Sequence, residues 1–365
     1  MRIAFVHYPG RLDRLAHARS GEAPTEFLFG AIELERDGHE TWHFEVDPGA
    51  PVPRLATLVD RGAGLGHLPP HLTGAGLLAV RRLLRRLREA DVVVGTTTGT
   101  AMALAGWRRA GRLDRPLVGV VAGLLNQPWR RTRRATTLPL LRSMHAVLYG
   151  SGELAGMLAL DRRLAQRVHV NRFGVDTRFW SPVEAPPSVE VLAIGNDGHR
   201  DWEALVRAAP GIPAPIRILT RHRPPPGLPP NVSWEDADWY TQVRSDAEIR
   251  ELYRSATAVV VPVRDVPQPS GQSVTLQAMA CGRPVVLTRS RGLWAPETLH
   301  DGENVVLVPP GDAEALAAAV RGLLGDPGRA AAIGAEAQAG VVRDGTVEAY
   351  AGRLLDICNL AIERP

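Results

Sequence analysis

The chain contains no lysine: all 43 of its basic residues are arginine. Coding bias in a GC-rich genome, which also enriches Ala, Gly and Pro, accounts for this without invoking phosphate or nucleic-acid binding. Against 39 acidic residues the formal net charge is only +4, small for a nucleic-acid binder of 365 residues. Two cysteines, Cys281 and Cys358, exclude a disulfide framework and a cysteine-based zinc site. No apolar run reaches the roughly 18 residues of a membrane-spanning helix. The opening residues MRIAFVHYPG hold one basic residue and a short apolar run, too little for a secretory signal, so a reducing, cytoplasmic setting is expected. The 36 Gly and 30 Pro follow no period, which excludes a collagen-like chain.

What is present is alternation. Apolar, β-branched runs occur at 2–7, 40–46, 91–97, 116–122, 146–151, 167–173, 190–195, 215–220, 231–235, 258–263, 283–288 and 304–308, with helical stretches between them. Val92–Val94 and Val259–Val261 are apolar on both faces, as central parallel strands covered by helices require. The pattern reads as α/β with right-handed crossovers and holds more strands than one open sheet usually does. The proline-rich SPVEAPPS at 181–188 suggests the break. Expected domains are 1–182 and 183–345, each Rossmann-like, followed by an amphipathic helix at 346–365 that packs back on the first.

The most informative segment is PSGQSVTLQAMACGRPVVLTR, 269–289. Ser270 reads as an N-cap, Gly271 permits close approach to the backbone, and Gly282 followed by Pro284 closes the helix. The amides of Gly271, Gln272 and Ser273 would then point out of a helix start, where the dipole favours an anion such as a diphosphate. A plain capped helix is the alternative reading.

Several segments together resemble the retaining glycosyltransferases of family four, which have the GT-B arrangement of two facing Rossmann-like domains. They are GAIELERDGHET (30–41), NRFGVDTRFWSP (171–182), SDAEIRELYRSATAVVVPV (245–263), LQAMACGRPVV (276–286) and DGENVVLVPPGDAEALAAAVRGLLGDP (301–327). The resemblance implies transfer of a sugar from a nucleoside-diphosphate sugar to a hydroxylated acceptor, a small metabolite or a polysaccharide. It places the nucleotide in the C-terminal domain. It implies no cofactor beyond the donor itself; no Asp-X-Asp segment falls in a plausible loop, so no bound metal is expected, and the small net charge speaks against a nucleic-acid partner. It also implies that the acceptor attacks on the face the diphosphate leaves, with a phosphate oxygen taking the proton.

The departures from the family pattern are specific. Of the family's two glutamates flanking the diphosphate helix, the first falls on Pro269 and the second on Gln277, whose amide could still hold ribose hydroxyls. Asp265 or Gln268 stands in for the first. Of the basic pair that neutralises the leaving diphosphate, Arg200 takes the place of the lysine and Asn196 that of the arginine, with His199 or Arg264 as a second donor. The family's donor-sugar histidine is replaced by GLLNQPW (123–129), leaving Asn126 and Gln127. His7, at the end of the first strand, is either a site residue or a satisfied core imidazole. Thr97–Thr100 either shape a pocket or cap a helix.

Glu297 and the arginines at 289 and 291 complete the candidates near the donor sugar. The catalytic expectation is therefore Arg200, Asp265 and Glu297, and the donor-binding expectation is Asn196, His199, Ser270, Gly271, Gln272, Ser273 and Gln277. The DAD at 236–238 reads as solvated. Arginine runs at 81–88 and 130–134 allow contact with a membrane surface but read better as solvated helix faces. Two other functions stay open: a catalytically impaired nucleotide-sugar-binding protein, and a nucleotide-sugar epimerase, for which no set of cleft carboxylates is evident.

Overall fold

The computed structural model describes residues 1–183, 188, 190–237 and 244–364. Most of the proline-rich stretch at 184–187 and the last residue of the DAD segment fall outside them. The chain divides into two units: Met1–Ser20 with Phe27–Arg172 and Glu348–Pro365, and Gly21–Glu26 with Phe173–Val347. No helix among the described residues is long and apolar enough to cross a membrane.

The first unit holds strands β1 (Arg2–His7), β2 (Glu40–Glu45), β3 (Val92–Gly95), β4 (Leu117–Val120), β5 (His145–Leu148) and β6 (Val168–Val170) in the order β2-β1-β3-β4-β5-β6. All pairings are parallel. Because side chains alternate along a strand, the sheet feeds two cores. Val93, Leu117, Ala146 and Leu148 face one side with the helices Gly74–Leu87 and Thr98–Arg109. Ile3, Phe5, Val92, Val94, Val118 and Val147 face the other, covered by Tyr350, Leu354, Ile357 and Cys358 of the C-terminal helix Val347–Glu363. This is the amphipathic helix the sequence leads one to expect.

The second unit holds β7 (Val191–Ile194), β8 (Ile216–Leu219), β9 (Val232–Glu235), β10 (Ala258–Val261), β11 (Val285–Thr288) and β12 (Val306–Val308), again all parallel, in the order β12-β11-β10-β7-β8-β9. This is the Rossmann order. The chain leaves β7 toward one edge and β10 toward the other, so their adjacent carboxyl ends form a topological switch point, where such sheets leave a crevice for ligands. All twelve expected strand runs are strands, in two six-stranded Rossmann-like sheets of the GT-B type.

Candidate nucleotide-binding site

The switch point of the second unit is built from three loops. After β7 the chain runs through Gly195–Asp201, and Arg200 bridges to Val263, just beyond β10. After β10 it runs through 262–271 into the helix Gln272–Ala280. The helix ends as its sequence dictates: Gly282 takes φ +72°, its amide donates to the Met279 carbonyl and that of Arg283 to Ala278, a Schellman closure.

Its start differs from expectation. Ser270 does not cap the helix; its hydroxyl donates to Asp197 Oδ1 at 2.6 Å. The N-cap is Gly271, in the left-handed region at φ +79°, and no side chain caps the first turn. The carboxylate outbids the helix amides because a charge-assisted hydrogen bond is the stronger one. The amides at this helix start are therefore left without a side-chain cap, the condition under which such a start can hold an anion.

Arg200 lies across that start. A Cβ on Gly271 would fall 2.9 Å from Arg200 Nη1 and 2.6 Å from Val261 Cγ1, and a Cβ on Gly195 would fall 2.1 Å from Arg200 Nε. Two glycines thus make the slot for one guanidinium. Arg200 is 4% exposed. Its Nε lies 3.0 Å from Asp197 Oδ2, while its buried Nη1 has no hydrogen-bond partner among the described residues. Gln272 Nε2, on the first residue of the same helix, is likewise buried without a partner. A buried cationic donor left unpaired is costly, and an anionic ligand at this point removes the cost.

Asp197 organises the cluster and was not singled out by the sequence. It receives hydrogen bonds from Ser270 and from the His199 amide at 3.0 Å. Burial alone would raise its carboxyl; the Arg200 charge and these hydrogen bonds outweigh burial and hold it below the usual carboxylate range. The only sequence signal was a polar Asn-Asp-Gly turn directly after a buried strand.

Of the other expected residues, His199 Nε2 lies 3.2 Å from Gln268 Oε1 on the facing loop. The Asn196 side-chain oxygen accepts from the Arg221 amide at 2.8 Å and its Nδ2 donates to the Ala237 carbonyl, so this side chain ties together the loops after β7, β8 and β9. Asp265 is held by Arg291, whose amide and Nε donate to its two oxygens at 2.9 and 3.0 Å. Glu297 lies exposed in a turn. Ser273 is half-buried in the first helical turn.

Gln277 faces away from the helix start into a buried network. Its Nε2 donates to Glu26 Oε1 at 3.0 Å, and its Oε1 accepts from the Tyr253 hydroxyl at 3.3 Å. Trp180 Nε1 also donates to Glu26 Oε1, at 2.7 Å, and the Asp176 amide to Oε2, at 3.2 Å. Glu26 is 1% exposed, and burial pushes its carboxyl up to about 7 although the bonds from Gln277 and Trp180 pull the other way. Cys281, on the same helix, is core: burial pushes its thiol up to about 12.

In the first unit, His7 is fully buried between His43, at 3.2 Å, and Thr96, at 3.3 Å. Burial first, then the neighbouring His43 and Arg11, keeps its imidazole neutral. Thr97 and Thr100 form a capping box, and Thr98 exchanges hydrogen bonds with the Ala122 backbone. Of the two readings of each, the structure shows the satisfied imidazole and the helix cap.

A profile of the glycosyl transferases group 1 family matches residues 190–326, which span the second sheet and this site. That region of the chain is similar to this family, and the fold of the chain is GT-B. It is 34% identical over 195 residues to the alpha-maltose-1-phosphate synthase of Mycolicibacterium smegmatis, a match covering 45% of this chain and 49% of that protein. The chain thus spans about half the length of this curated relative. Its fold is similar to that of sucrose-phosphate synthase from Thermosynechococcus elongatus, at TM-score 0.71 and 18% identity over 100% of both chains. It is also similar to that of Anabaena HepE in complex with UDP and glucose, at TM-score 0.68 and 16% identity over 98% of both.

Proposed function

We propose that the protein is a retaining glycosyltransferase that takes a sugar from a nucleoside-diphosphate sugar and delivers it to a hydroxylated acceptor. The observation that carries this reading is the buried, unpartnered Nη1 of Arg200 beside the uncapped start of helix Gln272–Ala280. In this reading the amides of Gly271, Gln272 and Ser273 cradle the diphosphate. Arg200 neutralises the charge that grows on it as the glycosidic bond breaks, the kind of stabilisation that contributes most in a water-poor site. Arginine and helix dipole together supply the positive charge of a metal-independent reaction. Asp197 holds Arg200 in place, and Asp265, tied to Arg291, shapes the loop leading to the helix. A relative named as an alpha-maltose-1-phosphate synthase and a solved neighbour holding UDP and glucose support a nucleotide-sugar donor.

A second reading has a specific observation in its favour. Gln277, at the position where the family holds the ribose with a glutamate, spends both polar atoms on Glu26 and Tyr253. A protein so altered can keep diphosphate binding and lose turnover. Two measurements separate the readings. Thermal shift against UDP, GDP, ADP and dTDP reports the diphosphate site, because a ligand that binds only the folded state raises the melting temperature. Slow hydrolysis of the matching nucleotide sugar reports catalysis. Stabilisation without hydrolysis selects the binding protein, and no stabilisation by any of the four overturns both.

A further inference from the structure

A cavity of about 510 Å³ opens at the edge of the second sheet, between the loop that leaves β11 and the turn that precedes β12. Small-ligand sites span roughly 300–1,000 Å³. β12 is the edge strand, whereas the switch point lies between β7 and β10, and none of Asp197, Arg200, Ser270 and Gln272 lines the cavity. Its walls are fixed by hydrogen bonds. The Arg289 amide donates to the Val308 carbonyl at 2.8 Å. Asn304, 6% exposed, clamps the turn: its Oδ1 accepts from the His300 amide at 2.9 Å and its Nδ2 donates to the Thr298 carbonyl at 2.8 Å.

The buried and half-buried part of the lining is apolar, from Leu293, Pro296, Leu299 and Leu307, and the exposed rim is polar. On that rim Arg289 Nη2 donates to Asp301 Oδ2 at 2.9 Å, and Asp301 Oδ1 accepts from the Leu307 amide at 2.9 Å. Arg291 is held in the same way, by both oxygens of Asp265. Each guanidinium keeps donors to spare: Arg289 Nε and Nη1, and Arg291 Nη1, have no hydrogen-bond partner among the described residues. The Glu303 carboxylate, exposed and in no ion pair among the described residues, adds acceptors beside the exposed His300 imidazole of the same turn.

We propose that this cavity is a saccharide-binding site, separate from the diphosphate site, that takes a unit of an uncharged glycan. The two guanidinium charges are matched by Asp265 and Asp301, and Glu303 adds a negative one, so the rim does not favour an anion. Both aspartates are already bonded, so they do not encircle a cation either. Donors and acceptors set side by side above an apolar floor suit a sugar ring, whose neighbouring hydroxyl groups each donate and accept while its C–H face is apolar. Because the charged pairs are held by backbone amides before any ligand arrives, little ordering is left to be done on binding. Use of the site to hold part of the acceptor rests on the function proposed above; the binding does not, since no residue of the diphosphate cluster takes part.

Saturation-transfer NMR on the full chain tests it, with maltotriose, mannotriose and cellotriose as probes. At least one of them is expected to bind saturably, with or without a nucleoside diphosphate present. Replacing His300 and Glu303 together by Ala should weaken that binding by at least about tenfold, the effect of losing one hydrogen bond to a charged group. Leu307→Trp, which fills the cavity, should abolish it. Both variants should keep the wild-type melting temperature and the wild-type thermal shift with nucleoside diphosphates, which reports the other site. Saccharide binding by a wild type that shows no such shift would remove the function proposed above and leave this site standing. Failure of all three trisaccharides to bind overturns the proposal, as does undiminished binding by H300A/E303A. Displacement of the trisaccharide by UDP-glucose would make the cavity the seat of the donor's own sugar and overturn it too.

Discussion

Glu26 and Gln277 meet at 3.0 Å, 251 residues apart in sequence, in a site from which water is excluded. The carboxylate is satisfied by Gln277, Trp180 and the Asp176 amide, and the amide is satisfied by Glu26 and Tyr253. A glutamine at 277 is what this arrangement demands, since a glutamate there would face a second carboxylate.

Gln277→Glu should therefore destabilise the protein at pH 8 by on the order of 2 kcal/mol, because two buried carboxyl groups this close cannot both ionise. The penalty should shrink at pH 5, where one proton is readily shared. Adding Glu26→Gln should recover most of the loss at pH 8. Denaturant unfolding of the single and double variants at both pH values checks the coupling; additive effects would contradict it.

The wild-type pH dependence has a definite sign. The Glu26 carboxyl titrates at about 7 in the folded state against an ordinary value of 4.5, so the folded state binds the proton more tightly. Its contribution is greatest below the unfolded value, declines as pH rises from about 4.5 to 7, and then levels off. Glu26→Leu, which removes the titration, should flatten that decline. The measurement is the difference in unfolding free energy between wild type and variant across pH 5–8.

Arg200→Ala should abolish the thermal shift with nucleoside diphosphates and lower sugar transfer by about 10²–10³, the usual loss when one charge-stabilising donor is removed. The variant should also lose some stability, since the half-buried Asp197 carboxylate is left without its cation. Arg200→Lys should recover part of the stability but little turnover, because an ammonium does not reproduce the planar fork. Activity equal to wild type in Arg200→Ala would remove Arg200 from the reaction.

Gly271→Ala meets two obstacles at once, a backbone at φ +79° and a Cβ 2.6 Å from Val261 and 2.9 Å from Arg200. It should cost at least about 1–2 kcal/mol in stability and displace the guanidinium. Loss of the diphosphate thermal shift should exceed the loss in melting temperature of the free protein. A variant that binds the diphosphate normally would show that the helix start is not its seat.

Asp265→Asn keeps the shape of its contact with Arg291 and removes one charge from an exposed pair. Exposed pairs contribute about 0–1 kcal/mol, so folding should change little. If Asp265 only shapes the loop, transfer should fall by less than about threefold; a loss near 10² would make it a group that acts on the donor sugar.

The fold was legible from the chain itself because parallel strands buried on both faces must be written as short runs such as Val92–Val94 and Val259–Val261, and helices between them as amphipathic stretches. Local chemistry was legible for the same reason: Gly282 closes its helix, and Arg200 follows a strand end by the distance a loop needs. What sequence alone could not determine was which polar groups already have partners. Ser270 reads as a cap until Asp197 is found beside it, and Gln277 reads as a ribose ligand until Glu26 and Tyr253 occupy it. His7 stays ambiguous until His43 and Thr96 close around it. Hydrogen bonding at a buried site is decided by whichever donor and acceptor the tertiary fold brings into reach, and residues 26 and 277, or 197 and 270, meet only after the segments that carry them have been placed.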